Sequence, residues 1–93
     1  MDSQNQTPAM NQEIFTLDLP VETVSVYLIC CNFLDNNTVI STKNLSSMWN
    51  GTETLLIEGL KDLEERNILR KIISDGEEKN IYQLSDVKDW KLS

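Results

Sequence analysis

The chain of 93 residues contains no histidine. The most common general base of enzymes is therefore missing, and its serines have no candidate base beside them. The sequence also lacks a glycine-rich phosphate loop and a nucleophile elbow. Its carboxylates lie at helical spacings, where they usually form a solvated face. These absences argue against an enzyme, and we predict no catalytic residues and no cofactor.

Cysteine is almost as scarce, since Cys30 and Cys31 are the only two. Adjacent side chains on a helix point about 100° apart, so these two are poorly placed to form a disulfide with each other. A zinc site needs several thiolate or imidazole ligands, which this chain does not supply. We therefore expect no metal site, and at least one cysteine to be a small buried apolar residue.

Long apolar runs are also missing, because Glu22, Thr23 and Ser25 interrupt the longest one, and none is long enough to span a bilayer. Residues 1–11 are polar and do not resemble a secretory signal. These features predict a cytoplasmic protein with no membrane partner. A chain this short buries one modest core. We expect a disordered tail over residues 1–13, one domain over 14–86 and a C-terminal tail over 87–93.

Positive charge is absent from the first part of the chain. Residues 1–40 contain five acidic residues and no lysine or arginine, and all eight basic residues lie from Lys43 onward. The formal net charge is −7. Nucleic-acid-binding proteins usually carry a basic footprint, so the overall charge argues against nucleic acid as a partner.

Two segments precede the central region. The loose alternation of Ile14–Leu19 predicts an extended lead-in with Phe15 and Leu17 on one side. A helix is predicted from Pro20, whose missing N–H suits a first helical position, to Leu34. The apolar residues at helical spacing there are Val21, Val24, Tyr27, Leu28, Cys31 and Leu34. Its β-branched residues weaken helix propensity, so a strand over residues 24–29 stays open as an alternative. A turn is expected at residues 35–37, and a short strand at 38–40.

Residues 41–86 carry the clearest pattern. A short helix after Ser41 holds Leu45, Met48 and Trp49. Asn50 and Gly51 then predict a turn, in which the glycine is free to take a positive φ. Two helices joined this tightly form a helix-turn-helix unit.

The second of these helices is the most clearly defined element. Thr52 is a good N-cap, and Asn67 occupies the position of a left-handed closing residue. The apolar stripe between them is formed by Leu55, Leu56, Gly59, Leu60 and Leu63. Two strands, over residues 69–74 and 81–84, flank a polar loop that contains a glycine and predict a hairpin.

The run LKDLEERNILRK, from Leu60 to Lys71, resembles the junction between second helix and wing in winged-helix proteins. MarR-like regulators and plasmid or phage replication initiators share a Leu-x-x-Leu-Glu-x-x-Gly-Leu-Ile helix end followed by a basic strand. The resemblance implies an α+β fold, a winged helix-turn-helix of three helices with a C-terminal β-hairpin wing. It further implies a DNA-binding transcriptional regulator or a replication-type accessory factor.

The resemblance also implies which residues meet DNA. The second helix would lie in the major groove with its N-terminal residues at the base edges, while basic residues of the wing and the hydroxyls of the first helix, including Ser46 and Ser47, would contact phosphates. The candidate DNA-binding residues are Ser41, Thr42, Lys43, Thr52, Glu53, Thr54, Ile57, Glu58, Lys61, Arg66, Arg70, Lys71 and Lys79. Residues 52–65 depart from the family pattern, because they contain five acids, Asp62 and Glu65 among the exposed ones, against one lysine.

This departure favours a competing hypothesis. An acidic second helix with an exposed Ile57 suits a module that docks a basic protein partner, or that occupies a partner's DNA site as a mimic. A homodimer would double a weak basic footprint. Trp90, Leu92 and part of the first helix are candidates for its interface, unless Trp90 and Leu92 dock back onto their own domain.

Overall fold

A computed structural model describes residues 10–74 and 80–91 of the chain. The helices are α1 (Val21–Asp35), α2 (Thr42–Met48) and α3 (Glu53–Glu65), and the strands are β1 (Ile40–Ser41), β2 (Leu69–Ile73) and β3 (Ile81–Leu84). Short 3₁₀ helices at Gln12–Thr16 and Val87–Asp89 flank them. Three helices followed by a β-hairpin, with one strand between α1 and α2, form the predicted winged-helix arrangement, in which β2 and β3 are the wing.

The sheet is antiparallel, with the strand order β1-β3-β2. Ile40 pairs with Tyr82, and Leu69 pairs with Leu84. The short strand predicted at residues 38–40 exists, but it covers Ile40–Ser41. The Thr38 amide instead donates to the carbonyl of Phe33 over 2.7 Å and so takes part in closing α1.

Helix α1 has nearly the predicted bounds, and the strand alternative over residues 24–29 is wrong. Pro20 is the N-cap rather than the first helical residue. Of the apolar residues at helical spacing, Tyr27 and Cys31 are buried, whereas Val21 is 76% exposed and Leu34 is half exposed. The side chains that α1 buries are Thr23, Val26, Tyr27, Cys30, Cys31 and Phe33. A helix that is apolar on nearly all sides has no periodicity that selects one face.

Helix α3 agrees with its prediction. The Oγ1 atom of Thr52 accepts a hydrogen bond from the amide of Leu55 over 3.2 Å. Of the predicted stripe, Leu55 is partly buried, and the fully buried residues are Leu56, Gly59, Leu60 and Leu63. Asn67 closes the helix with φ of 60°, and the Ile68 amide donates to the Leu63 carbonyl over 2.9 Å. This is the hydrogen bond of a Schellman motif, which needs a left-handed residue at this position.

The segment before α1 differs from its prediction. It is a 3₁₀ helix that begins at Gln12, within the range expected to be a disordered tail, and not an extended lead-in. Residues three apart share a face of a 3₁₀ helix, so Ile14 is fully buried, Leu17 is partly buried and Phe15 is 58% exposed. The Asn11 amide donates to the hydroxyl of Tyr27 over 2.9 Å and anchors the segment on α1.

Gly51 lies in the turn between α2 and α3 for a different reason than expected. Its φ does not fall in the left-handed region, and a Cβ atom at this position would lie 3.0 Å from Nε1 of Trp49. That indole nitrogen donates to the carbonyl of Thr52 over 2.7 Å. The glycine therefore leaves space for the Trp49 ring, which lies against the start of α3.

The C-terminal segment docks onto the domain. Trp90 is 7% exposed, and its ring meets Tyr27 edge-on at a centroid distance of 5.8 Å. Its indole nitrogen donates to the carbonyl of Ser85 over 3.2 Å. Of the two outcomes left open for Trp90, the structure shows docking onto its own domain, so this ring is not a free anchor for a dimer. Leu92 lies outside the described residues.

Candidate nucleic-acid interface

A groove of about 760 Å³ lies between α2, α3 and the sheet. We call it the wing-side groove. It is lined by Thr42, Lys43, Ser46, Glu53, Leu56, Ile57, Leu60, Lys61, Glu64, Lys71, Asn80 and Tyr82. Leucines of the buried stripe of α3 form part of its floor. The outward side of α3, which the resemblance assigns to DNA, therefore forms one wall of a concave surface.

Three lysines from three different elements converge on this groove. Lys43 comes from α2, Lys61 from α3 and Lys71 from β2. They face two carboxylates, Glu53 and Glu64, and the amine of Lys71 lies 3.9 Å from the Glu64 carboxylate. Among the described residues, the lining of this groove therefore has one more positive than negative side chain, in a chain whose formal net charge is −7.

The opposite side of α3 is acidic. A smaller groove of about 320 Å³, which we call the seam groove, follows the contact between α1 and α3. It is lined by Pro20, Glu22, Thr23, Leu55, Glu58, Gly59, Lys61, Asp62 and Glu65. It thus combines four carboxylates with one lysine. Three of the five acids of α3 line this groove and two line the wing-side groove, while Lys61 lines both.

Asp62 stabilises the fold and is less exposed than the sequence predicts. Its carboxylate accepts hydrogen bonds from Thr23 Oγ1 at 3.2 Å and from Arg66 Nε at 3.0 Å. About a quarter of its side chain is exposed. The contact ties α3 to α1 and holds Arg66 against the end of α3, outside the residues that line the wing-side groove.

The structure brings together six of the predicted DNA-binding residues in the wing-side groove: Thr42, Lys43, Glu53, Ile57, Lys61 and Lys71. The N-caps Ser41 and Thr52 hold the starts of α2 and α3, and Thr54 is exposed beside Thr52. Glu58 lines the seam groove. Arg70 is exposed on β2, next to Lys71, and adjacent strand residues point to opposite faces. Lys79 lies outside the described residues.

Three residues that line the wing-side groove, Glu64, Asn80 and Tyr82, are not among the site residues predicted from the sequence. The alternation of β3 could have placed Tyr82, which is buried and pairs with Ile40. Glu64 approaches Lys71 only because the hairpin folds back beside α3. Asn80 is buried, and its carbonyl accepts a hydrogen bond from the Thr42 amide over 3.0 Å. This contact joins the sheet to α2, and no local pattern indicates it.

Away from the grooves, both cysteines are buried thiols, as expected for small apolar residues. Burial raises the pKa of Cys30 to about 12 and that of Cys31 to about 11. Burial likewise raises the pKa of Tyr27 above its ordinary value. Since the thiolate is the nucleophile and the metal ligand, neither cysteine is reactive near neutral pH. Within residues 10–74 and 80–91, no cluster of three or more acidic or cysteine side chains is arranged to hold a metal ion.

The same described ranges contain no helix with the length and apolar character needed to cross a membrane. No family model matches the chain, and neither a curated protein nor a solved structure was found to match it.

Proposed function

We propose that this protein binds duplex DNA through the wing-side groove, as a small cytoplasmic winged-helix regulator or replication-type accessory factor. The observation that carries the proposal is the convergence of Lys43, Lys61 and Lys71 beside the outward side of α3. The sequence resemblance to MarR-like regulators and replication initiators supports the same function.

In this proposal the start of α3 enters the major groove. Thr52, Thr54 and Ile57 are exposed there, and the N-terminal residues of a recognition helix meet the base edges. Lysines on both flanks contact phosphates, release counterions and supply most of the affinity. The acidic seam groove faces away from the duplex in this arrangement. Its carboxylates therefore stay away from the phosphates, which they would repel. Lys43 of α2 and Lys71 of β2, which line only the wing-side groove, therefore set the side on which DNA approaches.

The test is a salt titration of binding to a fluorescent duplex, measured by anisotropy from low salt upward. The wild-type protein should lose affinity steeply as salt rises. The triple variant K43A/K61A/K71A should bind more weakly, and its log–log salt slope should be shallower by about 0.9 for each phosphate that the variant no longer neutralises.

Lys88 and Lys91 provide the matched control, since both are exposed and neither lines the wing-side groove. The variant K88A/K91A also removes positive charge but should keep most of the affinity and salt slope. Equal losses in the two variants would mean that the groove has no special role. A wild-type protein that binds no duplex at low salt would exclude DNA binding.

A second candidate function rests on the seam groove. Four carboxylates around one groove favour a basic protein segment over a polyanion, so a winged-helix interaction module is the alternative. The variant E58Q/E65Q separates the two functions. It should bind DNA as well as or better than wild type if DNA is the partner, whereas an interaction module would lose its basic protein partner and show no DNA affinity in either form.

A further inference from the structure

Glu53 differs from the other four acids of α3. Glu58, Asp62 and Glu65 line the seam groove, and Glu64 lies 3.9 Å from Lys71. Glu53 is the first residue of α3, is exposed and lines the wing-side groove. It forms no ion pair with any residue in the described part of the chain. Its exposed carboxylate therefore lies on the side where the proposed function places DNA.

If α3 enters the major groove as proposed, Glu53, its first residue, faces bases rather than phosphates. The first residues of a helix inserted in the major groove lie closest to the base edges. An unpaired carboxylate against phosphates would reduce affinity. Lys43, Lys61 and Lys71 line the same groove and offset the negative charge of Glu53. The groove can thus hold one carboxylate against DNA and still attract the duplex.

The chemistry of a carboxylate selects the base. An ionised carboxylate only accepts hydrogen bonds, so its partner must be an amino group at the edge of the major groove. Cytosine N4 and adenine N6 are the two amino groups there, and adenine also presents the acceptor N7 beside N6. That acceptor repels a carboxylate oxygen, which leaves cytosine as the better partner.

We infer that Glu53 is a specificity-determining residue, and that the preferred DNA has a C·G pair at one fixed position beneath the start of α3. This inference rests on the proposed DNA binding. Glu53 also has a structural role, because an acidic residue in the first turn interacts favourably with the helix dipole and so stabilises the helix. A structural role changes stability but not the preference for one base.

The experiment is a selection of binding sites from a randomised duplex library with wild type, E53Q, E53A and the control E58Q. Wild type should enrich cytosine at one position by about tenfold, the size of one good hydrogen bond. E53Q should change that preference to adenine, because glutamine pairs with adenine N6 and N7. E53A should lose the preference there, and E58Q should keep the wild-type pattern.

Identical base preferences in wild type, E53Q and E53A would overturn the inference, as would a selected site without the cytosine. A cooperative thermal unfolding transition is the check that each variant is folded. Because Glu53 is exposed, its replacement should change the stability only slightly. If wild type binds no library member at low salt, the proposed DNA binding fails. If it binds with the expected salt dependence but without the cytosine, only the role of Glu53 fails.

Discussion

Replacing Gly59 by alanine tests the contact between α1 and α3 that sets the orientation of the proposed recognition helix. A Cβ atom at Gly59 would lie 2.9 Å from Cγ2 of Val26 and 3.5 Å from the backbone Cα of Thr23. Carbon atoms pack best at about 3.5–4.0 Å. Val26 is completely buried and, as a β-branched residue in a helix, has one strongly preferred rotamer. The two helices must therefore move apart.

Two opposing effects decide the magnitude. Alanine improves helix propensity over glycine by about 1 kcal/mol, while overpacking a well-filled core costs about 1–3 kcal/mol. Because Val26 has no free space, we expect G59A to lower the free energy of unfolding by about 1 kcal/mol net. For a domain of this size, that loss lowers the melting temperature by about 4–8 °C.

Guanidinium denaturation followed by circular dichroism measures the effect. T54A is the matched control, since Thr54 is exposed on α3 and its change to alanine adds helix propensity without a clash. The net loss of about 1 kcal/mol combines the propensity gain of about 1 kcal/mol with a clash of about 2 kcal/mol. In a double-mutant cycle, V26A removes the methyl groups that G59A meets, so the two changes should couple favourably by about 2 kcal/mol. A G59A variant as stable as T54A, or an additive cycle, would refute the reasoning.

Three further predictions concern the core and the helix end. N67A should lower the free energy of unfolding by about 2 kcal/mol, because alanine is strained in the left-handed conformation and cannot replace the hydrogen bond that Asn67 Nδ2 donates to the Asp89 carbonyl over 2.8 Å. N67G, which relieves the strain, should lose about half as much, and equal losses in urea denaturation would contradict the role of φ. W90A should lower the free energy of unfolding by about 3–5 kcal/mol. W90F should lower it less, because phenylalanine keeps an aromatic edge against Tyr27, and equal melting temperatures for the two variants would contradict this contact. Burial raises the pKa values of Cys30 and Cys31 to about 12 and 11, against an ordinary 9.0. Keeping these thiols protonated contributes to the free energy of unfolding, and this contribution is fully present below pH 9. Above pH 9 the thiols of the unfolded chain deprotonate before those of the folded protein, so the free energy of unfolding should fall by about 1.4 kcal/mol per pH unit for each thiol. Urea denaturation between pH 8 and 10.5 should show a shallower fall with pH in C30A than in wild type. An equal fall with pH in both proteins would count against thiol burial as the cause.

The sequence predicts α3 more accurately than α1 for a physical reason. The two sides of α3 differ in chemistry, and leucines such as Leu56 and Leu60 alternate with charged residues. Helix α1 has apolar residues on nearly all sides, so its buried face depends on which neighbours pack against it. The short helix around Ile14 depends in the same way on the tertiary contact between Asn11 and Tyr27. The local pattern locates α1 without orienting it, and it does not predict the short helix around Ile14.

The candidate site was predictable in its residue types but not in its arrangement. The sequence predicts DNA contacts for Lys43, Lys61 and Lys71, but it predicts them equally for Arg66 and Arg70. Arg66 is held by Asp62 one helical turn away, which the spacing of four residues could have indicated. The convergence of the three lysines required the sheet to fold back beside α3, and no local pattern contains that information.

Tyr27 connects segments from opposite ends of the described chain. Its hydroxyl accepts a hydrogen bond from Asn11, and its ring contacts Trp90, so residues 79 positions apart in sequence meet on one side chain. Shortening the chain past either contact exposes the same part of the core.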